Sequence, residues 1–270
     1  MKVGVFDSGV GGLTVLKELL KELNSTEFIY YGDSFNSPYG TKTIEDIQKL
    51  CYKISEFLIN KDVDLIVIAC NTATVASLDY LKEKFPTLPI IGVINPGATM
   101  ALRESKNKKI GVLSTPLTAK TNAYKNAIQN LNENYEVYQQ GCELLCPMIE
   151  KGWKDNEESH NILKNYIENL PKDIDTLILG CTHYPYLEEK IRAIAQCTIV
   201  NPAKETAKDL NTILDKKNAR LVVEQLKKLK SVANLKNYNK ISYYVTGDLE
   251  NFITVGEQLL DQKMVDVHKI

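Results

Sequence analysis

Two periodicities alternate along this chain. Compact apolar runs at Lys2–Phe6, Phe28–Tyr31, Val63–Ala69, Pro89–Val93, Lys109–Leu113, Tyr135–Tyr138, Asp175–Leu179, Thr198–Val200 and Ile241–Val245 read as strands. Between them Leu13–Leu23, Ile44–Ile59, Val75–Phe85 and Tyr186–Ile194 set apolar residues at helical spacing. Short strands separated by helices predict βαβ units and parallel sheets covered on both faces. The run Val63-Asp64-Leu65-Ile66-Val67-Ile68-Ala69 is almost wholly apolar, as a central strand of such a sheet must be.

The pattern also repeats. Lys2-Val3-Gly4-Val5-Phe6-Asp7-Ser8 resembles Lys109-Ile110-Gly111-Val112-Leu113-Ser114-Thr115. Asp64-Leu65-Ile66-Val67-Ile68-Ala69-Cys70 resembles Asp175-Thr176-Leu177-Ile178-Leu179-Gly180-Cys181 at nearly the same offset. Ile94-Asn95-Pro96-Gly97 has a fainter echo in Val200-Asn201-Pro202-Ala203. Three echoes in one order predict an α/β fold of two pseudo-symmetric domains with central, mainly parallel sheets and an active site in the interdomain cleft. Residues 1–95 with 207–270 are expected to form the first domain and 96–206 the second. The segment after Ala207 has no counterpart in the first half. It reads as a charged helix (Ala219 to Leu235), a strand and a final helix, returning to the first domain.

Composition narrows the function. Apolar residues make up 44% and charged residues 25% of 270, an ordinary globular balance. With 33 Lys and Arg against 34 Asp and Glu, the charge of −1 gives no electrostatic reason to expect nucleic acid or an anionic membrane. The start reads as a strand rather than a signal peptide, and no apolar stretch is long enough to span a bilayer, which places the protein in the cytoplasm. Its six cysteines are then expected as reduced thiols. Cys142 and Cys146 lack zinc-site spacing and a nearby His, so they read as packed core thiols, as do Cys51 and Cys197.

In parallel sheets the residues just beyond the carboxyl ends of strands line the ligand crevice. The repeat puts a cysteine at that point in each half, Cys70 and Cys181. Each is followed by groups able to hold a carboxylate: Asn71 and Thr72, then Thr182 and His183. The glycine loop Asp7-Ser8-Gly9-Val10-Gly11-Gly12 follows a strand but has Thr14 where a dinucleotide fingerprint needs its third glycine. Gly40-Thr41-Lys42-Thr43 likewise fails as a phosphate loop. The loop's small residues suit approach of backbone N–H groups to a substrate carboxylate.

With these three loops and Pro38-Tyr39-Gly40, the chain resembles the glutamate racemase family, within the aspartate/glutamate racemase superfamily, over its whole length. The resemblance implies cofactor-independent racemisation of glutamate by two opposed bases, Cys70 acting on the D form and Cys181 on the L form. It implies no metal, Asp7, His183 and Glu150 as auxiliary catalytic groups, and Asp7, Ser8, Tyr39, Gly40, Asn71, Thr72, Thr182 and His183 around the substrate. A homodimer and delivery of D-glutamate to peptidoglycan synthesis follow from the same resemblance. Because the Asp7 motif begins so near Met1, no activator-linked N-terminal extension is expected. Three alternatives stay open: an aspartate racemase or related enzyme of the superfamily, a non-catalytic carboxylate-binding protein, and a cysteine hydrolase. The last needs one thiol paired with His, and a binder needs no opposed thiols.

Overall fold

The apolar runs become two all-parallel sheets. The structure, a computed structural model, describes residues 1–23, 26–212 and 239–270. One sheet has the order β10-β9-β2-β1-β3-β4, from β1 (Lys2–Asp7), β2 (Glu27–Asp33), β3 (Leu65–Ile68), β4 (Ile90–Gly92), β9 (Lys240–Thr246) and β10 (Val267–Lys269). The other has the order β6-β5-β7-β8, from β5 (Lys109–Ser114), β6 (Glu136–Gly141), β7 (Thr176–Gly180) and β8 (Thr198–Val200). This is the α/β class expected. The orders β2-β1-β3-β4 and β6-β5-β7-β8 are the same arrangement twice, so the sequence echoes correspond to equivalent strands.

Helices cover both faces of each sheet. On the first sheet, Val3, Val5 and Val67 turn one way, onto α1 (Leu13–Glu22) and α11 (Leu249–Leu260); Phe6, Ile66 and Ile68 turn the other, onto α2 (Ile44–Ile59) and α3 (Asn71–Lys84). On the second, Ile110, Val112 and Ile178 meet α4 (Ile94–Glu104) and α6 (Ala123–Leu131), which follows the short α5 (Pro116–Lys120). Leu113, Leu177 and Leu179 meet α7 (Leu145–Glu150), α8 (Glu157–Glu168) and α9 (Glu188–Ala195). The alternation follows from the pleat, which sends successive side chains to opposite faces.

The chain crosses between the sheets at α4 and returns along a helix over residues 202–212, α10. Asn201 opens α10, accepting the Ala203 N–H at 3.0 Å. The two crossings touch. A Cβ on Gly97 would meet the Pro202 ring at 2.9 Å, and Arg103 clasps Glu205 through two nitrogens at 3.0 and 3.1 Å. These are the elements of the third echo.

The return to the first sheet is as expected, with β9 pairing along the whole of β2. The final helix is followed by a further strand, β10, which the residue pattern does not announce. The charged helix expected at Ala219 to Leu235 lies outside the described residues. Among the described residues no helix is long and apolar enough to cross a membrane.

Candidate active site

Four strand ends converge on one cavity. It is lined by Ser8 after β1, Cys70, Asn71 and Thr72 after β3, Thr115 after β5, and Cys181, Thr182 and His183 after β7. Ser37, Pro38, Tyr39 and Gly40 close one side, and Cys146 and Glu150 of α7 another. The sequence order 2-1-3 in each sheet makes the β1/β3 and β5/β7 junctions the points where connections diverge, and there parallel sheets leave a crevice. The free space is about 20 Å³, room for about one water.

Cys70 begins α3. Its sulfur accepts the Ala73 N–H at 3.4 Å, a cap that starts the helix four residues before its apolar spacing becomes regular, and it lies 3.6 Å from Ser8 Oγ. Burial pushes the thiol up to about 12, the charge of Asp7 adds to this, and the Ala73 and Ser8 contacts work against it. On the far side Cys181 Sγ lies 3.2 Å from Cys146 Sγ and 3.7 Å from His183 Nδ1. Burial raises this thiol well above its ordinary range and Cys146 adds to it, while His183 opposes the rise.

His183 stands between two acids. Its Nε2 is 3.1 Å from Glu150 Oε1, in ion-pair contact although not aligned as a hydrogen bond. Burial favours neutral imidazole, but Cys181 and Glu150 outweigh it and hold His183 in its charged form well above the usual range. Burial likewise lifts Glu150, yet His183 and the Ser37 hydroxyl, which donates at 3.2 Å, leave it lower than an ordinary glutamate.

Asp7 stands one layer behind the wall. It is fully buried and lies behind the cavity wall, its carboxylate accepting from Gly9 N at 3.0 Å and from Thr182 Oγ1 at 3.2 Å. In the closed cavity it stands behind Thr182, which lines the wall. Burial raises it to about 6, against the pull of His183. Close packing also requires the glycines of this loop. A Cβ on Gly11 would come 2.6 Å from Thr182 Oγ1, and one on Gly12 2.4 Å from Asp7 Cβ. Gly11 must be bare to let the two halves close on each other, and Gly12 to let the loop fold over Asp7.

The remaining polar residues tie the walls together. The Thr72 and Thr115 hydroxyls hydrogen-bond at 2.8 Å, and Thr14 Oγ1 donates to the Thr182 carbonyl at 2.9 Å. The Tyr124 hydroxyl donates to Asn71 Oδ1 at 2.6 Å, leaving the Asn71 amide nitrogen for the cavity. Tyr39 donates to Asp33 at 2.6 Å, which fixes its ring in the wall. Gly40 packs on Thr115, where a Cβ would sit 3.0 Å away. The residue pattern does not announce Cys146, Ser37, Thr115 or Tyr124. Only Thr115 carried a signal, since it sits in the repeat where Ser8 does.

The arrangement defines a class of protein: a two-sheet α/β fold in which paired cysteines, one from each repeated unit, face one cavity. The chain belongs to the Asp/Glu/Hydantoin racemase family, whose model matches residues 4–210. A glutamate racemase of Fusobacterium nucleatum is 38% identical over 270 residues, 100% of this chain and 97% of that protein. The crystal structure of a glutamate racemase isoform from Bacillus anthracis superimposes with a TM-score of 0.87 at 36% identity, over 99% of this chain and 96% of that one. A glutamate racemase from Francisella tularensis, solved in complex with D-glutamate, gives 0.87 at 35% identity, over 100% and 97%.

Proposed function

We propose that this protein interconverts L- and D-glutamate without a cofactor, with Cys70 and Cys181 as the two bases. The observation that carries the reading is that equivalent strands of the repeat deliver both thiols to one cavity. Full-length similarity to proteins named glutamate racemase supports glutamate over aspartate.

Racemisation takes the α-hydrogen from one face of the amino acid and returns a proton to the other. One sulfur starts as thiolate and its opposite as thiol, and the reverse reaction exchanges them. The carbanionic state needs donors at the α-carboxylate. Ser8 and the Asn71 amide are the groups with protons to spare, since the Thr182 hydroxyl is committed to Asp7. His183, charged and close to Cys181, favours the thiolate on that side. Room for one water does not admit glutamate, so binding parts the walls that the Thr72–Thr115 and Tyr124–Asn71 bonds hold shut. We take residues 1–95 with 207–270 and residues 96–206 as the two domains that separate, and the touching crossovers as their hinge. Action in the cytoplasm as a homodimer, feeding peptidoglycan synthesis, rests on the family resemblance.

The test is incubation of the purified protein, dialysed against chelator, with each enantiomer of glutamate and of aspartate in deuterated water. Loss of optical rotation with deuterium entering the α-position of glutamate is the expected result. Exchange in aspartate alone would move the protein to the aspartate enzymes. A requirement for added metal or pyridoxal phosphate would sink the two-thiol scheme.

A further inference from the structure

Cys146 has no task in the scheme above, yet its sulfur is 3.2 Å from that of Cys181. Cys146 Sγ, Cys181 Sγ and a His183 ring nitrogen all lie within 4.8 Å of one another, and all three residues are buried. His183 turns Nδ1 toward Cys181 and Nε2 toward the Glu150 carboxylate. That is the disposition of a metal-bound imidazole, whose second nitrogen faces an outer carboxylate that fixes the ring. We propose that Cys146, Cys181 and His183 form a binding site for a thiophilic divalent cation of the zinc type, which shuts the enzyme off by capturing one of its bases.

Distances decide between a metal and the other chemistry open to two adjacent thiols. Two sulfurs on one tetrahedral zinc at ~2.3 Å stand about 3.8 Å apart, and a sulfur and an imidazole nitrogen about 3.6 Å. The pair at 3.2 Å must therefore spread by about 0.6 Å, and the Cys181–His183 separation of 3.7 Å already fits. A disulfide at ~2.05 Å would need the sulfurs to close by more than about 1 Å. Two thiolates, one neutral imidazole and a fourth position toward the cavity complete the coordination, and the protons of the thiols and of the imidazolium Nδ1 leave to solvent as the ion enters. Soft sulfur ligands select zinc-type ions over magnesium or calcium. Cation binding stands by itself, whereas loss of activity rests on Cys181 serving as a base.

The experiment uses the full chain, stripped with chelator and kept in a non-thiol phosphine reductant. Cobalt(II) is the optical probe and zinc the competitor. One equivalent of cobalt should give an intense thiolate-to-metal charge-transfer band, displaced by zinc, with racemisation lost in the same stoichiometry and restored by chelator. Cys146→Val should weaken zinc binding more than about 100-fold, exceeding the ~10–100-fold typical of losing an outer partner, and Glu150→Gln by about 10-fold. If Cys146→Val does not fold, alkylation mapping of the unaltered chain replaces it: zinc should slow alkylation of Cys146 and Cys181 and leave the rates at the other four cysteines unchanged. An unchanged cobalt band in a folded Cys146→Val protein, or protection at other cysteines, would overturn the site. So would inactivation that a thiol reverses and chelator does not, which signals a disulfide. Metal binding without racemisation would count against the proposed function alone, and racemisation without metal binding against this inference alone.

Discussion

The Cys70 and Cys181 ends of the cavity sit at equivalent strand ends and have different chemistry. Both thiols follow the strand that pairs with the first strand of their unit, β3 with β1 and β7 with β5. Around Cys70 the helpers are a hydroxyl and a helix-opening N–H, with the Asp7 charge opposing ionisation. Around Cys181 they are an imidazole braced by Glu150, with a second sulfur opposing. The repeat keeps the thiols at equivalent strand ends, while the groups around each thiol differ between the halves. The proposed racemisation needs symmetry only at the sulfurs.

Four experiments press on this contrast. The largest effect is expected from Cys70→Ser and Cys181→Ser, each lowering racemisation by about 10⁴-fold, the upper range for a positioned acid or base. Each variant should still eliminate a β-leaving group from one enantiomer of a suitable amino-acid analogue, Cys70→Ser from the L form and Cys181→Ser from the D form. If one variant loses both eliminations while the other keeps both, there is a single base and the symmetry is only structural.

Next, His183→Asn should slow reaction by about 10³-fold from the L side, within the range for proton-transfer assistance. It should slow the D-side elimination much less, and equal losses in the two would erase the distinction between the ends.

Asp7 gives a stability effect with a defined sign. A carboxyl raised from 3.8 to about 6 on folding destabilises the native state wherever it is ionised. The penalty is complete above pH 6 and disappears as pH falls through 6 towards 3.8. Holding the proton over that interval is worth about 1.4 kcal/mol for each step of one in pH, so the whole penalty is about 3 kcal/mol. The stability of Asp7→Asn relative to the unaltered protein should therefore rise by that amount between about pH 4 and about pH 7 in urea unfolding. A flat difference would mean that the carboxylate is solvated.

The smallest effect belongs to Tyr124→Phe, which leaves the Asn71 carbonyl without its donor. A loss of about 1 kcal/mol in stability is expected, with KM for glutamate falling because one bond holding the walls shut is gone, and deuterium exchange at both faces equally affected. A one-sided change would place Tyr124 with one thiol rather than with substrate.

Much of this was legible in the residues because parallel strands are buried on both faces and leave unbroken apolar runs. The positions of Cys70 and Cys181 follow from those runs alone. What escaped depends on groups far apart in the chain. Cys146 and Cys181 meet because α7 packs on β7, and neither residue's neighbours say so. Asp7 reads as a cleft residue from its strand end, and only the Thr182 hydroxyl from the other half shows that it is walled in. Strand β10 is short and mostly exposed at a sheet edge, so it carries no alternation to detect. The start of α3 is hidden because its cap is a thiol, where serine or aspartate is the usual sign.

The return of the chain to its first sheet bears on how the molecule is made. β9 pairs along all seven residues of β2, yet it comes after every strand of the second sheet. On a ribosome the second sheet has all its strands while the first still lacks two, reversing the usual order in which the earlier unit matures first. Until β9 arrives, β2 presents an unpaired edge carrying Phe28, Ile29 and Tyr30, a surface on which another chain can add a strand. β9 thus acts as the seal on the aggregation-prone edge of β2.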